Sequence, residues 1–264
     1  MSLRRISETA IPRQPTCTWE MERYDPELRP GELHLWWVPL TAADEVTDGL
    51  YSLLSEGEAA RAARFRFDRH RRAYILARGM LRRLLQGYTG IPPRELAFRT
   101  GPQGKPALDG QEGDQRLKFN YSDAEGYALY GFVRDAEIGV DLENLDREVS
   151  FEGIASRKFS SAEADAILSL PEEMRKDAFL ACWTRKEGYG KAEGWGIHYP
   201  LDSVELCKDC GAERLVLDDA CGKAGSWTLR QIYPTRSFVG CVVYPTVLDN
   251  GGDVVFRYFG TSPY

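Results

Sequence analysis

The stretch Tyr127-Ala-Leu-Tyr-Gly-Phe-Val-Arg-Asp-Ala-Glu-Ile-Gly-Val-Asp-Leu142 carries the clearest structural pattern of the 264-residue chain. Aromatic and branched residues fill both of its ends, and a short polar segment, residues 134–137, separates them. This pattern predicts two strands, over residues 127–133 and 138–142, that are joined by a turn.

Two acidic residues lie on one face of the second of these strands. In Gly139-Val-Asp-Leu-Glu143, Asp141 and Glu143 are two residues apart and project side by side, whereas Val140 and Leu142 point into the core. Adjacent carboxylates repel each other, and burying them is costly unless a cation lies between them. The pair therefore indicates a magnesium site, because Mg2+ is typically held by one or two carboxylates and substrate phosphates. A strand end with two solvated acids is the alternative.

Helical patterns lie upstream of these strands. Residues 59–67 are rich in Ala and Arg and follow Ser55, which has with Glu58 the spacing of a capping box. Residues 68–86 carry apolar side chains at the spacing of one buried helical face.

Two more helices are predicted downstream. The first covers residues 162–170 and is capped by Ser160 or Ser161. The second covers residues 172–193, and its glycines indicate a close backbone approach or a helix end.

The order of the elements predicts the fold class. Further strands are expected at residues 33–38, 117–121, 203–206, 215–217, 226–233 and 237–244. Strands and helices occur in blocks, which indicates an α+β fold with antiparallel sheets packed against long helices. We expect an irregular N-terminal extension (1–30) and two similar α+β subdomains, one N-terminal (31–135) and one C-terminal (136–264).

Composition limits the functional classes. The chain has 34 Lys and Arg against 40 Asp and Glu, and its net charge of -6 argues against nucleic acids or membranes as partners held by bulk positive charge. It has no apolar run of the ~18–20 residues that span a bilayer, and residues 1–15 lack the apolar stretch of a secretory signal. We therefore expect a cytoplasmic protein. The pair Cys207-Lys-Asp-Cys210 raises zinc as an alternative, but reduced thiols are expected.

Nine arginines lie between Arg61 and Arg83, with Asp68 as the one acid among them. The arginine fork donates hydrogen bonds in pairs and suits phosphate. The alternative is a solvated helix face whose arginines are paired with acids elsewhere.

A third motif lies in the helix predicted over residues 172–193. Trp183, Glu187 and Lys191 are spaced at i, i+4 and i+8 and form one stripe. The stripe is interpreted either as a Trp anchor with an ordinary Glu–Lys pair, or as a metal ligand, Glu187, beside a phosphate-binding Lys191.

Four motifs follow one another along the chain: Gly104-Lys-Pro106, Phe119-Asn-Tyr-Ser122, Gly139-Val-Asp-Leu-Glu143 and Trp183-x-x-Lys-Glu-x-x-x-Lys-x-x-Gly194. Together they resemble the motifs of the 4′-phosphopantetheinyl transferases, in the larger, single-chain Sfp-type branch. The resemblance covers roughly residues 55–205. It implies two fused copies of a small α+β unit and transfer of the phosphopantetheine arm of coenzyme A to a serine of an acyl or peptidyl carrier protein, with adenosine 3′,5′-bisphosphate as the other product.

The resemblance also implies residue roles. Asp141, Glu143 and Glu187 would hold Mg2+, with Mn2+ as an alternative, and Glu187 is our candidate for the base that activates the carrier serine. The expected contacts to coenzyme A come from Arg61, Arg72, Lys105, Pro106, Ser122 and Lys191, the last also acting in catalysis.

One position departs from the family pattern. The family usually has His after the Asn-x-Ser triplet, whereas this chain has Asp123. A carboxylate would repel a nearby phosphate, so either another arginine of the 61–83 run compensates or coenzyme A binds more weakly.

The expected partner is a carrier protein of fatty-acid, polyketide or nonribosomal peptide synthesis, bound transiently by a monomer. Residues 145–168 are a candidate docking surface, through Phe151, Ile154, Arg157, Lys158 and Phe159; alternatively, the segment packs between the two halves. A metal-dependent nuclease or phosphatase and a non-catalytic coenzyme A-binding module are the other functions considered.

Overall fold

The computed structural model describes residues 20–21, 26–111, 116–195, 201–207, 214–217, 226–250 and 254–258. Within them, the helices are α1 (Asp44–Tyr51), α2 (Glu56–Ala63), α3 (Asp68–Thr89), α4 (Phe151–Lys158), α5 (Ser161–Leu168) and α6 (Glu172–Glu193). No helix in these ranges combines the length and the apolar character needed to cross a bilayer.

The first sheet has five strands in the order β1-β11-β2-β6-β5. These are β1 (Glu20–Met21), β2 (Leu33–Pro39), β5 (Leu117–Ala124), β6 (Tyr127–Arg134) and β11 (Val254–Tyr258). The pairs β2–β6 and β5–β6 are antiparallel, whereas β11 runs parallel to both β1 and β2.

The second sheet has four strands in the order β7-β10-β9-β8, all paired antiparallel. They are β7 (Gly139–Asn144), β8 (Arg214–Leu217), β9 (Trp227–Thr235) and β10 (Phe238–Pro245). A separate hairpin joins β3 (Phe98–Thr100) to β4 (Pro106–Leu108).

The two sheets lie face to face between two long helices. One face of the first sheet packs on α3, and one face of the second packs on α6. The remaining faces share a third apolar cluster that includes Trp37, Leu129, Val140 and Val242. The alternation of β2 shows this arrangement, because Trp36 faces α3 and Trp37 faces the other sheet. The α+β fold class is confirmed.

Both capping predictions are confirmed. Ser55 and Glu58 form a complete capping box at the start of α2, and Ser160 rather than Ser161 forms one with Glu163 at the start of α5. Helix α6 has the predicted bounds, and Gly194 ends it in the left-handed conformation.

The strands of residues 127–142 form as predicted, but they do not pair with each other. Strand β6 belongs to the first sheet and β7 to the second, so residues 135–138 connect the two sheets and are not the turn of a hairpin. Gly131 of β6 permits this close approach, since a Cβ there would lie 2.6 Å from Ile138 Cδ1.

Other expectations need correction. Residues 203–206 are not a strand, and α1, β3, β4, α4 and β11 were not expected. Of residues 1–30, 20–21 form β1, while 1–19 and 22–25 lie outside the described residues. Cys207 forms a disulfide with Cys182, with Cα atoms 5.6 Å apart, so reduced thiols are wrong for this pair. Cys210, the second half of the zinc motif, lies outside the described residues.

Candidate functional site

The candidate site lies where the edge strand of one sheet meets the edge strand of the other. Strand β5 borders the first sheet and β7 borders the second. The side-chain oxygen Oδ1 of Asn120 accepts a hydrogen bond from the backbone amide of Val140 at 2.8 Å. Asn120 therefore fixes β5 against β7, a role that the Asn-x-Ser motif alone does not reveal.

Helix α6 packs on β7 at very short range because Gly139 has no side chain. A Cβ on Gly139 would collide with the carbonyl oxygen of Gly188 and lie 2.5 Å from the amide nitrogen of Ala192. The predicted close backbone approach is thus confirmed. It brings the polar stripe of α6 over the carboxylates of β7.

Three of the expected site residues form one hydrogen-bonded triangle. Lys191 Nζ lies 2.6 Å from Asp141 Oδ1 and 3.0 Å from Ser122 Oγ, and Ser122 Oγ donates to Asp141 Oδ1 at 2.8 Å. Asp141 is buried, whereas Lys191 and Ser122 are partly exposed. The triangle holds an ammonium group at a solvent-accessible position, where it could meet an anionic ligand.

The other two expected metal ligands border this triangle. Burial, and then the negative charge of Asp141, raise the pKa of Glu143 to about 7, although Arg147 and Lys191 oppose the rise. The same two causes raise the pKa of Glu187, against Lys191 and Lys158. Both carboxyls therefore ionise less readily than in water, chiefly because they are buried and secondly because Asp141 adds negative charge.

The residues fit a divalent cation chemically. Asp141 Oδ2 is buried and has no hydrogen-bond partner among the described residues, and the neighbouring carboxylates repel each other. A cation ligated by oxygen would relieve both features. In the present arrangement, no three His, Cys, Asp or Glu side chains of the described ranges are close enough to hold a metal, and Asp141 Oδ1 contacts Lys191 Nζ.

Several arginines of the run between Arg61 and Arg83 form ion pairs within the protein. Four of them contact acids at 2.5–2.6 Å, in the pairs Arg71–Asp68, Arg72–Asp44, Arg78–Glu58 and Arg82–Glu58. The contacts of these four arginines thus agree with the alternative interpretation, in which arginines of the run are paired with acids.

The two arginines expected to contact coenzyme A have different surroundings. Arg72 also donates to Ala42 O at 2.9 Å and thereby ties α3 to the segment before α1. Arg61 is exposed, with its guanidinium over the Tyr74 ring at 5.4 Å from the centroid. Of the two, Arg61 has the more accessible guanidinium.

Lys105 lies in the loop between β3 and β4, and its ammonium group points inward. Nζ contacts Glu137 Oε2 at 2.7 Å, Ile138 O at 3.0 Å and Ala192 O at 3.1 Å. A cavity of about 640 Å³ opens beside this loop; of the described residues, Pro106 and Trp195 line it but Ser122, Asp141 and Lys191 do not.

Asp123 follows Ser122 on β5 and so projects from the opposite side of the strand. Its side chain is exposed. Partial desolvation raises the pKa of Asp123, and the positive charge of Lys191 opposes this.

One buried ion pair near the site was not expected. Lys186 Nζ lies 2.7 Å from Glu163 Oε2, and both side chains are almost fully buried. Glu163 Oε1 also accepts from the amides of Leu206 and Cys207 at 2.6 and 3.1 Å. The pair ties α5, α6 and residues 201–207 together directly beside Glu187. The sequence analysis identified Lys186 as a position of the family motif, but it did not predict Glu163 as its partner.

Residues 145–168 present a charged surface of mixed sign rather than an apolar one, because Asp146, Glu148, Glu152 and Asp165 are exposed beside two basic residues. Phe159 is buried, and Phe151 and Ile154 pack against the core around α6. Arg157 and Lys158 at the end of α4 are exposed.

Two family models match the chain. One, described as the 4′-phosphopantetheinyl transferase superfamily, matches residues 137–243. The other, described as the N-terminal region of 4′-phosphopantetheinyl transferase, matches residues 37–131.

Individual proteins match as well. The 4′-phosphopantetheinyl transferase HetI of Nostoc is 34% identical over 237 residues, which are 90% of this chain and 94% of HetI. The 4′-phosphopantetheinyl transferase psf-1 of Bacillus pumilus is 31% identical over 58% of this chain and 64% of its own length. The 4′-phosphopantetheinyl transferase ffp of Bacillus subtilis is 29% identical over 62% and 70%.

Proposed function

Since the chain belongs to the 4′-phosphopantetheinyl transferase superfamily and is a phosphopantetheinyl transferase, we propose that it uses coenzyme A as donor and a carrier-protein serine as acceptor. A new P–O bond forms to the serine oxygen, the pyrophosphate P–O bond breaks, and adenosine 3′,5′-bisphosphate leaves with the electron pair. The observation that carries this proposal is the Ser122–Asp141–Lys191 triangle, beside two carboxyls of raised pKa.

Asp141, Glu143 and Glu187 are the proposed ligands of Mg2+, with Mn2+ as an alternative. The unpartnered oxygen of Asp141 and the raised pKa values of Glu143 and Glu187 support this assignment. When bound, the ion would neutralise charge on the pyrophosphate.

Lys191 and Ser122 are the proposed phosphate contacts. The Lys191 ammonium is already oriented by Asp141 and Ser122, so little reorganisation is needed when a phosphate oxygen arrives. Arg61 and the backbone of the Lys105-Pro106 loop are the further proposed contacts to coenzyme A. The exposed guanidinium supports Arg61, whereas the contacts of Arg72 to Asp44 and Ala42 favour a structural part for that residue.

Glu187 is the proposed base. A serine hydroxyl is a weak nucleophile and needs a group that accepts its proton. The Glu187 carboxyl lies close enough to Asp141 and Lys191 for their charges to act on it, so it would accept the proton of a serine that attacks at this site, directly or through a water molecule.

The proposed carrier-binding surface includes residues 145–168. Arg157 and Lys158 are exposed there and suit an acidic partner, and Lys158 is close enough to influence the pKa of Glu187.

The test is mass spectrometry of several apo carrier proteins incubated with the enzyme, coenzyme A and Mg2+. One serine should gain the phosphopantetheine arm. Asp141→Asn should abolish this transfer, whereas Asp48→Asn, on the exposed surface of α1, should not affect it. Full activity of Asp141→Asn would refute the metal assignment, and cleavage of coenzyme A without a modified carrier would favour a phosphatase.

A further inference from the structure

Lys105 joins parts of the molecule that are distant in sequence. Its loop belongs to the β3–β4 hairpin, whereas its ammonium contacts residues 137–138, between the two sheets, and the last turn of α6. Glu137 also binds Lys118, with Oε1 at 2.7 Å. Burial lowers the pKa of Lys105, and Glu137 opposes the shift.

The contact to α6 satisfies one of the exposed ends of that helix. The last four carbonyl groups of an α-helix have no partner within the helix, and they form its negative pole. Lys105 donates to one of them, Ala192 O. Its stem also lies along the helix cap, since Cδ would be 3.8 Å from a Cβ at Gly194.

The same turn carries the proposed phosphate-binding group. Lys191 directly precedes Ala192, and its ammonium reaches Asp141 and Ser122 across the joint between the sheets. Lys105 therefore restrains the backbone that carries Lys191, and also the connection into the strand that carries Asp141.

We propose that Lys105 is a positioning residue whose ammonium holds the last turn of α6 in place, so that Lys191 is aligned on the pyrophosphate, rather than contacting coenzyme A itself. This inference rests on the proposed function. It differs from the direct contact that the Gly-Lys-Pro motif suggests.

The first test is a double-mutant cycle between Lys105→Met and Lys191→Met, measured by transfer to an apo carrier. A positioning role predicts that Lys105→Met lowers kcat about 10-fold or more in the wild type, but less than about 2-fold once Lys191 is absent. Lys105→Arg, which keeps a donor, should recover much of the loss. Lys118→Met is the matched control, because Lys118 shares Glu137 but is not among the contacts of Ala192; its kcat should stay within about 2-fold. Equal effects of Lys105→Met in both backgrounds, or a rise in KM for coenzyme A alone, would overturn the proposal.

The second test does not depend on activity. Amide hydrogen exchange of residues 191–194 should accelerate about 10-fold in Lys105→Met and remain unchanged in Lys118→Met. Unchanged exchange in Lys105→Met would refute the inference. A wild-type enzyme that modifies no carrier would refute the proposed function instead, and the exchange measurement would still decide the role of Lys105.

Discussion

Replacing Glu143 by Gln should remove a pH dependence of stability that the metal-free site imposes. The Glu143 side chain is 14% exposed and contacts Arg147 at 3.1 Å. Burial, and secondly Asp141, raise its pKa from 4.5 to about 7. Between these values, the folded state holds a proton that the unfolded state releases.

The sign and size follow from this difference. A pKa raised in the folded state contributes stability that is complete below pH 4.5 and is lost as the pH rises through about 7. Each pKa unit corresponds to about 1.4 kcal/mol, so the full change is about 3 kcal/mol. The free energy of unfolding of the wild type should thus fall relative to Glu143→Gln by about this amount between pH 4.5 and 8.

The assay is urea unfolding at half-unit steps of pH in the presence of EDTA. Glu152→Gln, at an exposed position of α4, is the matched control and should follow the wild type. Parallel curves for wild type and Glu143→Gln would show that Glu143 ionises normally, and the account of a buried carboxyl beside the negative charge of Asp141 would be wrong.

Three further results are expected. Gly139→Ala should destabilise the protein by about 3 kcal/mol, because a Cβ there collides with Gly188 O. The control Gly153→Ala, whose Cβ would have nothing within 4 Å, should stabilise the protein by about 0.5–1 kcal/mol. Equal unfolding midpoints of the two variants would contradict the close packing of α6 on β7. Burial lowers the pKa of His34 to about 4, so the stability that the neutral imidazole contributes is present above pH 6.5 and is lost as the pH falls through 4. In unfolding titrations, the free energy of unfolding of His34→Gln should therefore fall by about 3 kcal/mol less on acidification than that of the wild type. Asp123→Asn should lower KM for coenzyme A about 3-fold, the size of one exposed charge interaction, and an unchanged KM in steady-state assays would mean that Asp123 does not affect the bound phosphates.

Some local features of the fold were predictable from the sequence, although α1 and α4 were missed, whereas the pairing of strands was not predictable. Capping boxes and helix bounds depend on residues within one or two turns, which is why Ser55, Ser160 and the limits of α6 were found. The strands of residues 127–142 were also found, but a strand pattern does not identify the strand that lies beside it. The separation of β6 and β7 into two sheets therefore required the structure, and so did the parallel strand β11.

The candidate site follows the same division. Strand alternation predicts that Asp141 and Glu143 share a face, and Val140 and Leu142 do pack in the core between the sheets. What the sequence could not supply was the partner of each charged group. Arg72 is bound to Asp44 and Lys186 to Glu163, over 28 and 23 residues respectively, and no local pattern specifies such contacts.

The parallel strand β11 separates the order of synthesis from the order of folding. Strand β2 (Leu33–Pro39) has β6 on one side and β11 on the other, and β11 comes more than 200 residues later. While the intervening chain is being made, the β11 side of β2 is an open edge that could pair with another nascent chain. Closing so long a loop is slow compared with forming local contacts. Production in a host cell should therefore be limited by association of partly made chains, and chaperones that bind exposed strand edges should raise the yield more than conditions that stabilise the finished protein.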